Sequence, residues 1–117
     1  MEIFREYSFE AAHRLPQVPD GHKCSRLHGH SYQVEVHVRG DIGAVTGWVM
    51  DFAEIDTAFR PLREQLDHGC LNDVPGLENP TSEILSRWIW DRLAGCLPLS
   101  AIVVRETRAS GCIYRGE

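Results

Sequence analysis

The strongest constraint on the fold is an alternation of side-chain character in the segment 28–39. Its apolar positions share one parity; they are Tyr32, Val34, Val36 and Val38. The positions between them are polar; they are Gln33, Glu35, His37 and Arg39. Because successive side chains of a strand point to opposite faces of a sheet, the alternation predicts a strand over 30–39 with one buried face. A shared parity of Ile3, Tyr7, Phe9 and Ala11 predicts an earlier strand over 2–13.

Three histidines share the apolar parity of these two strands. His28 and His30 lie two residues apart and face the same side as the valines, and His13 continues the parity of the first strand. If the two strands pair, the three imidazoles meet on one face. Three neutral imidazoles suit Zn²⁺ and leave its fourth position to water or substrate. The sequence therefore predicts a zinc site on His13, His28 and His30.

Two other interpretations of these histidines stay open from the residues alone. Each could be a hydrogen-bonded core residue, because His-x-His by itself is a weak motif. Alternatively, Cys24, in the loop between the strands, could be a fourth ligand that closes a purely structural site. A chain of 117 residues can bury a core without a metal, so folding does not require a closed site.

Composition narrows the classes of protein. The length predicts a single domain over 1–117. No apolar run approaches the roughly 20 residues that span a bilayer, and the first residues lack the basic start and apolar middle of a signal peptide, so we expect a cytoplasmic protein without a membrane partner. The four cysteines lie far apart, which favours reduced thiols over a disulfide framework.

Charge argues against a nucleic-acid partner. The formal net charge is −5, whereas binding to phosphates needs a basic face. The only lysine, Lys23, stands beside Cys24, with Arg14 and Arg26 nearby in the sequence. These residues predict a local positive pocket for a small anionic substrate; the alternative is that Lys23 is a solvated loop residue.

The middle of the chain predicts two amphipathic helices. Asp51 begins the first like an N-cap, apolar residues recur at helical spacing to residue 66, and Pro61 predicts a kink or a break within it. Asp67 and His68 then lie on a turn just beyond the helix. Asn79 followed by Pro80 predicts the start of the second helix, which Gly95 ends.

The last part of the chain predicts two further strands, over 101–106 and 112–115. Glu106 shares the parity of the apolar Ile102 and Val104, which suggests a carboxylate that contacts a ligand. The element order is thus β-β-α-α-β-β, an α+β fold with a four-stranded antiparallel sheet and two helices on one face. Something else must cover the other face, and we expect another copy of the same chain.

Several segments together resemble one enzyme family over essentially the whole chain. They are residues 9–13, 24–30, 49–52, 66–68, 71–73, 78–83, 106–107 and 111–117. In this order they resemble the 6-pyruvoyl-tetrahydropterin synthase family, and most closely its bacterial branch, which makes 6-carboxy-5,6,7,8-tetrahydropterin in queuosine biosynthesis. The resemblance implies the tunnelling fold, in which the sheets of several subunits join into a barrel with active sites at subunit interfaces. It also implies a homo-oligomer built from trimers, with a hexamer expected.

The resemblance further implies what the site does. Its substrate would be 7,8-dihydroneopterin triphosphate, and its products 6-carboxytetrahydropterin, acetaldehyde and triphosphate. The resemblance implies zinc on the three histidines, a catalytic Cys24 and an Asp67–His68 pair that assists proton transfer. It also implies a Glu106 that anchors the pterin ring, with Lys23 and Thr107 as further substrate contacts.

Two alternatives to this function remain at the level of the sequence. In the sister branch, 6-pyruvoyl-tetrahydropterin synthase, the same site eliminates only triphosphate, and the shared motifs do not separate the two reactions. The short length and the ending of the chain favour the carboxy branch. The second alternative is a non-catalytic zinc-binding or pterin-binding protein on this fold, for which Cys24 would be dispensable.

Overall fold

Two long strands form the centre of the sheet. The computed structural model describes all residues, 1–117. Strand β1 spans Glu2–His13, and strand β2, its antiparallel partner, spans His28–Arg39. Their register runs from Glu2 opposite Arg39 to His13 opposite His28. The apolar positions of β1 therefore lie opposite the apolar positions of β2, on the same face of the sheet. Strand β2 begins two residues earlier than the alternation of apolar residues indicated.

Two helices cover one face of this sheet. Helix α1 spans Phe52–Leu66 and helix α2 spans Ser82–Leu93. Their buried apolar residues, Ile55, Phe59, Leu85 and Ile89 among them, pack with the valines of β2 in one hydrophobic cluster. No helix combines the length and the apolar character needed to cross a membrane.

The helix boundaries differ from the prediction at two prolines. Helix α1 is continuous through Pro61, which lies on its exposed side. The carbonyl that loses its partner is therefore near water, and no break is needed. Helix α2 begins later than predicted, because Thr81 rather than Asn79 is its N-cap and accepts from the N–H of Ile84 at 3.1 Å. Pro80 thus precedes the helix instead of opening it.

The sheet has five strands instead of the predicted four. Strand β3 spans Gly69–Cys70, β4 spans Leu99–Arg105 and β5 spans Cys112–Tyr114. The order is β3-β1-β2-β4-β5, in which the four predicted strands are antiparallel and β3 is parallel to β1. A strand of two residues has no alternation to detect. It matters here because it fixes the turn that follows α1 to the edge of the sheet.

The start of helix α1 offers a test of local stability. Asp51 is its N-cap, and its Oδ1 accepts from the N–H of Ala53 at 2.9 Å. We expect Asp51→Ala to lower the free energy of unfolding by about 1 kcal/mol, because that N–H loses its acceptor. Asp51→Asn is the matched control, since its amide oxygen can accept the same bond. Chemical denaturation at one protein concentration measures both; equal losses in the two variants would contradict the capping role.

Candidate active site

The three histidines that share one parity meet at the ends of the two long strands. His13 is the last residue of β1 and is directly opposite His28, and His30 follows two residues along β2. The Nε2 atoms of His13 and His28 are 3.1 Å apart. One nitrogen from each of the three rings lies within 4.8 Å of the others. This group can hold a metal ion, and its donor set is compatible with Zn²⁺.

The hydrogen bonds of the rings decide which nitrogens are free. His13 Nδ1 lies 2.9 Å from the carbonyl oxygen of Pro80, and His28 Nδ1 lies 2.7 Å from that of Arg26. A carbonyl only accepts, so each Nδ1 carries the hydrogen and donates it. Each Nε2 therefore carries a lone pair toward the other ring. Two facing lone pairs are stabilised by a cation between them, and such outer hydrogen bonds are typical of metal-bound histidines.

Burial of His13 and His30 supports the same assignment. His13 is fully buried, and this burial lowers the pKa of its imidazole and favours the neutral form that a metal requires. The Tyr32 hydroxyl lies 3.0 Å from its Nδ1, on the same side as Pro80. The Nε2 of His30 is buried without a hydrogen-bond partner. A buried nitrogen without a partner is costly, and a bound ion would satisfy it.

Glu106 adjoins this group. It follows the end of β4, and its Oε2 lies 3.6 Å from Nε2 of His30. With Thr107 and Arg108 it lines a cavity of about 350 Å³. The Thr107 hydroxyl is 3.2 Å from that of Ser110 and accepts from the N–H of Ala109, so it also shapes the turn after β4.

Cys24 lies in the loop between β1 and β2, whereas the three histidines lie on the strands themselves. It occupies a short 3-10 turn, Lys23–Ser25, and its N–H donates to Nδ1 of His22 at 3.1 Å. Its carbonyl accepts from the N–H of Leu15 at 2.8 Å. The group of ligand atoms contains the three histidines and not the thiol of Cys24. In this arrangement the site is open, which differs from the closed structural site considered above.

Asp67 and His68 lie next to strand β3, at an edge of the sheet. Asp67 Oδ1 accepts from the N–H of Glu10 at 2.9 Å, and its Oδ2 lies 3.0 Å from Nδ1 of His68. The Glu10 bond, helped by His68, holds the pKa of Asp67 below its usual value. His68 has a positive φ of 59° and donates its own N–H to Glu10, so its side chain is turned outward and is 79% exposed.

One chain does not bring every predicted site residue together. His68 lines an open groove of about 540 Å³, and the other residues that line it include Glu10, His30 and Cys70. Glu106 lines other cavities, and β1 and β2 separate its strand from β3. The sequence also did not indicate the outer partners of the histidines. The carbonyls of Pro80 and Arg26 are main-chain groups, which no residue pattern identifies.

The whole chain matches one family of enzymes. The family model for 6-pyruvoyl tetrahydropterin synthase matches residues 2–117 of the chain. The chain belongs to the 6-pyruvoyl tetrahydropterin synthase family. This confirms the resemblance inferred from the sequence, and members of this family are enzymes; the chain is accordingly an enzyme, a lyase.

Individual members of the family are similar to the chain over almost its full length. A protein of Synechocystis sp. named 6-carboxy-5,6,7,8-tetrahydropterin synthase is 46% identical, with 96% of this chain and 91% of that protein covered. A 6-pyruvoyl tetrahydrobiopterin synthase of Poecilia reticulata is 39% identical, with 98% and 90% covered. The solved structure of 6-pyruvoyl tetrahydropterin synthase from Caenorhabditis elegans superimposes with a TM-score of 0.91 at 27% identity, covering 100% of this chain and 96% of that one. The fold is therefore the tunnelling fold of this family.

Proposed function

We propose that this enzyme converts 7,8-dihydroneopterin triphosphate and one water molecule to 6-carboxy-5,6,7,8-tetrahydropterin, acetaldehyde and triphosphate, and that the reaction serves queuosine biosynthesis. The observation that carries this proposal is the 46% identity, over 96% of the chain, to a relative named for that product. The open group of three histidines supports it, because the reaction breaks C–H and C–C bonds next to hydroxyl groups that a cation can bind.

His13, His28 and His30 would hold the zinc ion. When bound, the ion supplies a Lewis acid that stabilises negative charge on the oxygens of the substrate side chain. The chain's own part is to present three neutral imidazoles. The Pro80 and Arg26 carbonyls orient His13 and His28 for this task, because they keep the hydrogen on Nδ1 and leave the lone pair of Nε2 for the ion.

The remaining residues have separate roles in the proposal. Cys24 accepts a proton from the substrate carbon at its Sγ, and His68, oriented by Asp67, passes protons on. Glu106 accepts paired hydrogen bonds from the N–H groups of the pterin ring, much as a carboxylate accepts the two donors of an arginine. Thr107 lines the same cavity as Glu106, and Lys23 supplies a positive charge next to Cys24 for the triphosphate.

We further propose that the site is completed in a homo-oligomer built from trimers. Two observations support this. The His68 side chain is 79% exposed and does not share a cavity with Glu106. The helices cover only one face of the sheet. Neighbouring copies would cover the other face and would bring the Asp67–His68 pair of one chain to the histidines of the next.

A product assay tests the reaction and separates it from the sister reaction. We expect purified enzyme loaded with zinc to release acetaldehyde and triphosphate in equal amounts from 7,8-dihydroneopterin triphosphate, because the carbon side chain is cleaved. A chelator should abolish both products, and added zinc should restore them. Release of triphosphate without acetaldehyde would contradict the carboxy reaction and favour 6-pyruvoyl-tetrahydropterin formation. Release of neither product would contradict both.

A further inference from the structure

The side chain of Asn72 uses its full hydrogen-bonding capacity on the main chain next to the site. Asn72 lies in the 3-10 turn Leu71–Asp73, which follows β3. Its Oδ1 accepts from the N–H of Arg14 at 3.0 Å, and its Nδ2 donates to the carbonyl of Arg14 at 2.9 Å. Nδ2 also lies 3.4 Å from the carbonyl of Glu78, and the thiol of Cys70 lies 3.6 Å from Oδ1.

These partners leave one orientation for the amide. The nitrogen faces two carbonyls, and the oxygen faces two donors, so rotating the amide by half a turn would oppose like groups at every contact. Asn72 holds both main-chain groups of Arg14, as a neighbouring strand would. Strand β3 pairs with β1 only as far as Ala12 and Cys70. The Asn72 side chain therefore continues the pairing past the end of both strands.

Arg14, whose main chain Asn72 holds, lies between the candidate metal centre and the loop that carries Cys24. Arg14 directly follows His13, and the next residue, Leu15, donates its N–H to the carbonyl of Cys24. Consecutive Cα atoms are about 3.8 Å apart, so the position of Arg14 limits both neighbours. A short covalent and hydrogen-bonded path thus joins Asn72 to His13 on one side and to Cys24 on the other.

We propose that Asn72 is a positioning residue that fixes Cys24 relative to the three histidines by holding the main chain of Arg14. Its catalytic part rests on the proposed function, in which Cys24 takes a proton from a substrate bound at the histidines. Arg14 and the turn around Cys24 are largely exposed, so without the Asn72 amide water competes for the Arg14 groups and the loop gains freedom. Misplacement of a proton acceptor slows the chemical step more than it weakens binding.

The kinetic test compares Asn72→Ala with Thr57→Ala. We expect Asn72→Ala to lower kcat by about 10- to 100-fold, the range known for outer positioning contacts, with KM and zinc content unchanged. Thr57→Ala is the control, because it also removes one side-chain bond to a main-chain carbonyl, that of Ala53 in α1, away from the site. Asn72→Asp should have a lower kcat than Asn72→Ala, since its carboxylate would face two carbonyl oxygens.

A second test needs no substrate and uses the cysteines as reporters. We expect iodoacetamide to alkylate Cys24 several times faster in Asn72→Ala than in the unaltered enzyme, measured peptide by peptide with mass spectrometry. Exposed Cys96 and half-buried Cys112 should react at unchanged rates and serve as internal references. In Thr57→Ala all rates should stay the same.

The outcomes separate this proposal from the proposed function. If the unaltered enzyme forms no pterin product while only Cys24 alkylation rises in Asn72→Ala, the holding role stands and the proposed function fails. If Cys24 alkylation is unchanged, or if Cys112 reacts faster to the same degree, Asn72 has no specific hold on the loop and the proposal is overturned. An active enzyme in which alkylation rises but kcat does not fall also overturns it.

Discussion

Replacing His28 with alanine is expected to remove bound zinc and to lower kcat by at least about 10³-fold. The ion would lose one of three ligands, and the two remaining imidazoles would hold it only weakly. A Lewis acid supplies several kcal/mol to such a reaction, and about 1.4 kcal/mol corresponds to a factor of ten in rate. His28 is half-buried, so its truncation leaves no large cavity in the core. Metal analysis and turnover of the purified variant measure the two effects.

His37→Ala is the matched control for the metal. His37 lies on the same strand but on the opposite face, where its Nε2 is 2.8 Å from Glu35 and its ring stacks on Phe4. It lies nine positions along β2 from His28, which is about 30 Å of strand. The His37→Ala variant should therefore keep its full zinc content. Stoichiometric zinc in His28→Ala would contradict the assignment of the metal centre to the three histidines.

Replacing Cys24 with alanine is expected to lower kcat by about 10³-fold while zinc remains bound. That loss lies within the range for removal of a general base. The metal should stay because the group of ligand atoms consists of three histidines and does not include the Cys24 thiol. Circular dichroism and metal analysis on the same preparation show that fold and site are intact.

Two results would contradict this role of Cys24, each in a different way. Loss of zinc together with activity would mean that the thiol is a fourth ligand and that the site is closed. Unchanged turnover would mean that another group takes the proton. Cys96→Ser is the control, because this thiol is exposed and bonds only to the carbonyl of Leu93 at the end of α2. We expect that variant to keep both zinc and turnover.

The main framework of the fold was accessible from the sequence because it depends on periodic side-chain character. The alternation along β2 and the shared parity of β1 predicted two paired strands, and the structure adds the register that sets His13 opposite His28. Helical spacing likewise predicted α1 and α2. Strand β3 was missed because two residues cannot show a period, and Pro61 was expected to disturb a helix that tolerates it on its exposed side.

The sequence by itself determined which side chains share a face, because the geometry of a strand or helix fixes that within a few residues. It thereby placed His28 and His30 on one face of their strand, His13 on the apolar side of its own strand and Glu106 on the apolar side of a third; the pairing of these strands is seen in the structure. Only the tertiary structure decided what orients them. The Pro80 carbonyl that fixes His13 and the Asn72 amide that holds Arg14 act on or through main-chain groups. Every residue carries such groups, so composition and spacing cannot show which of them packing brings to the site.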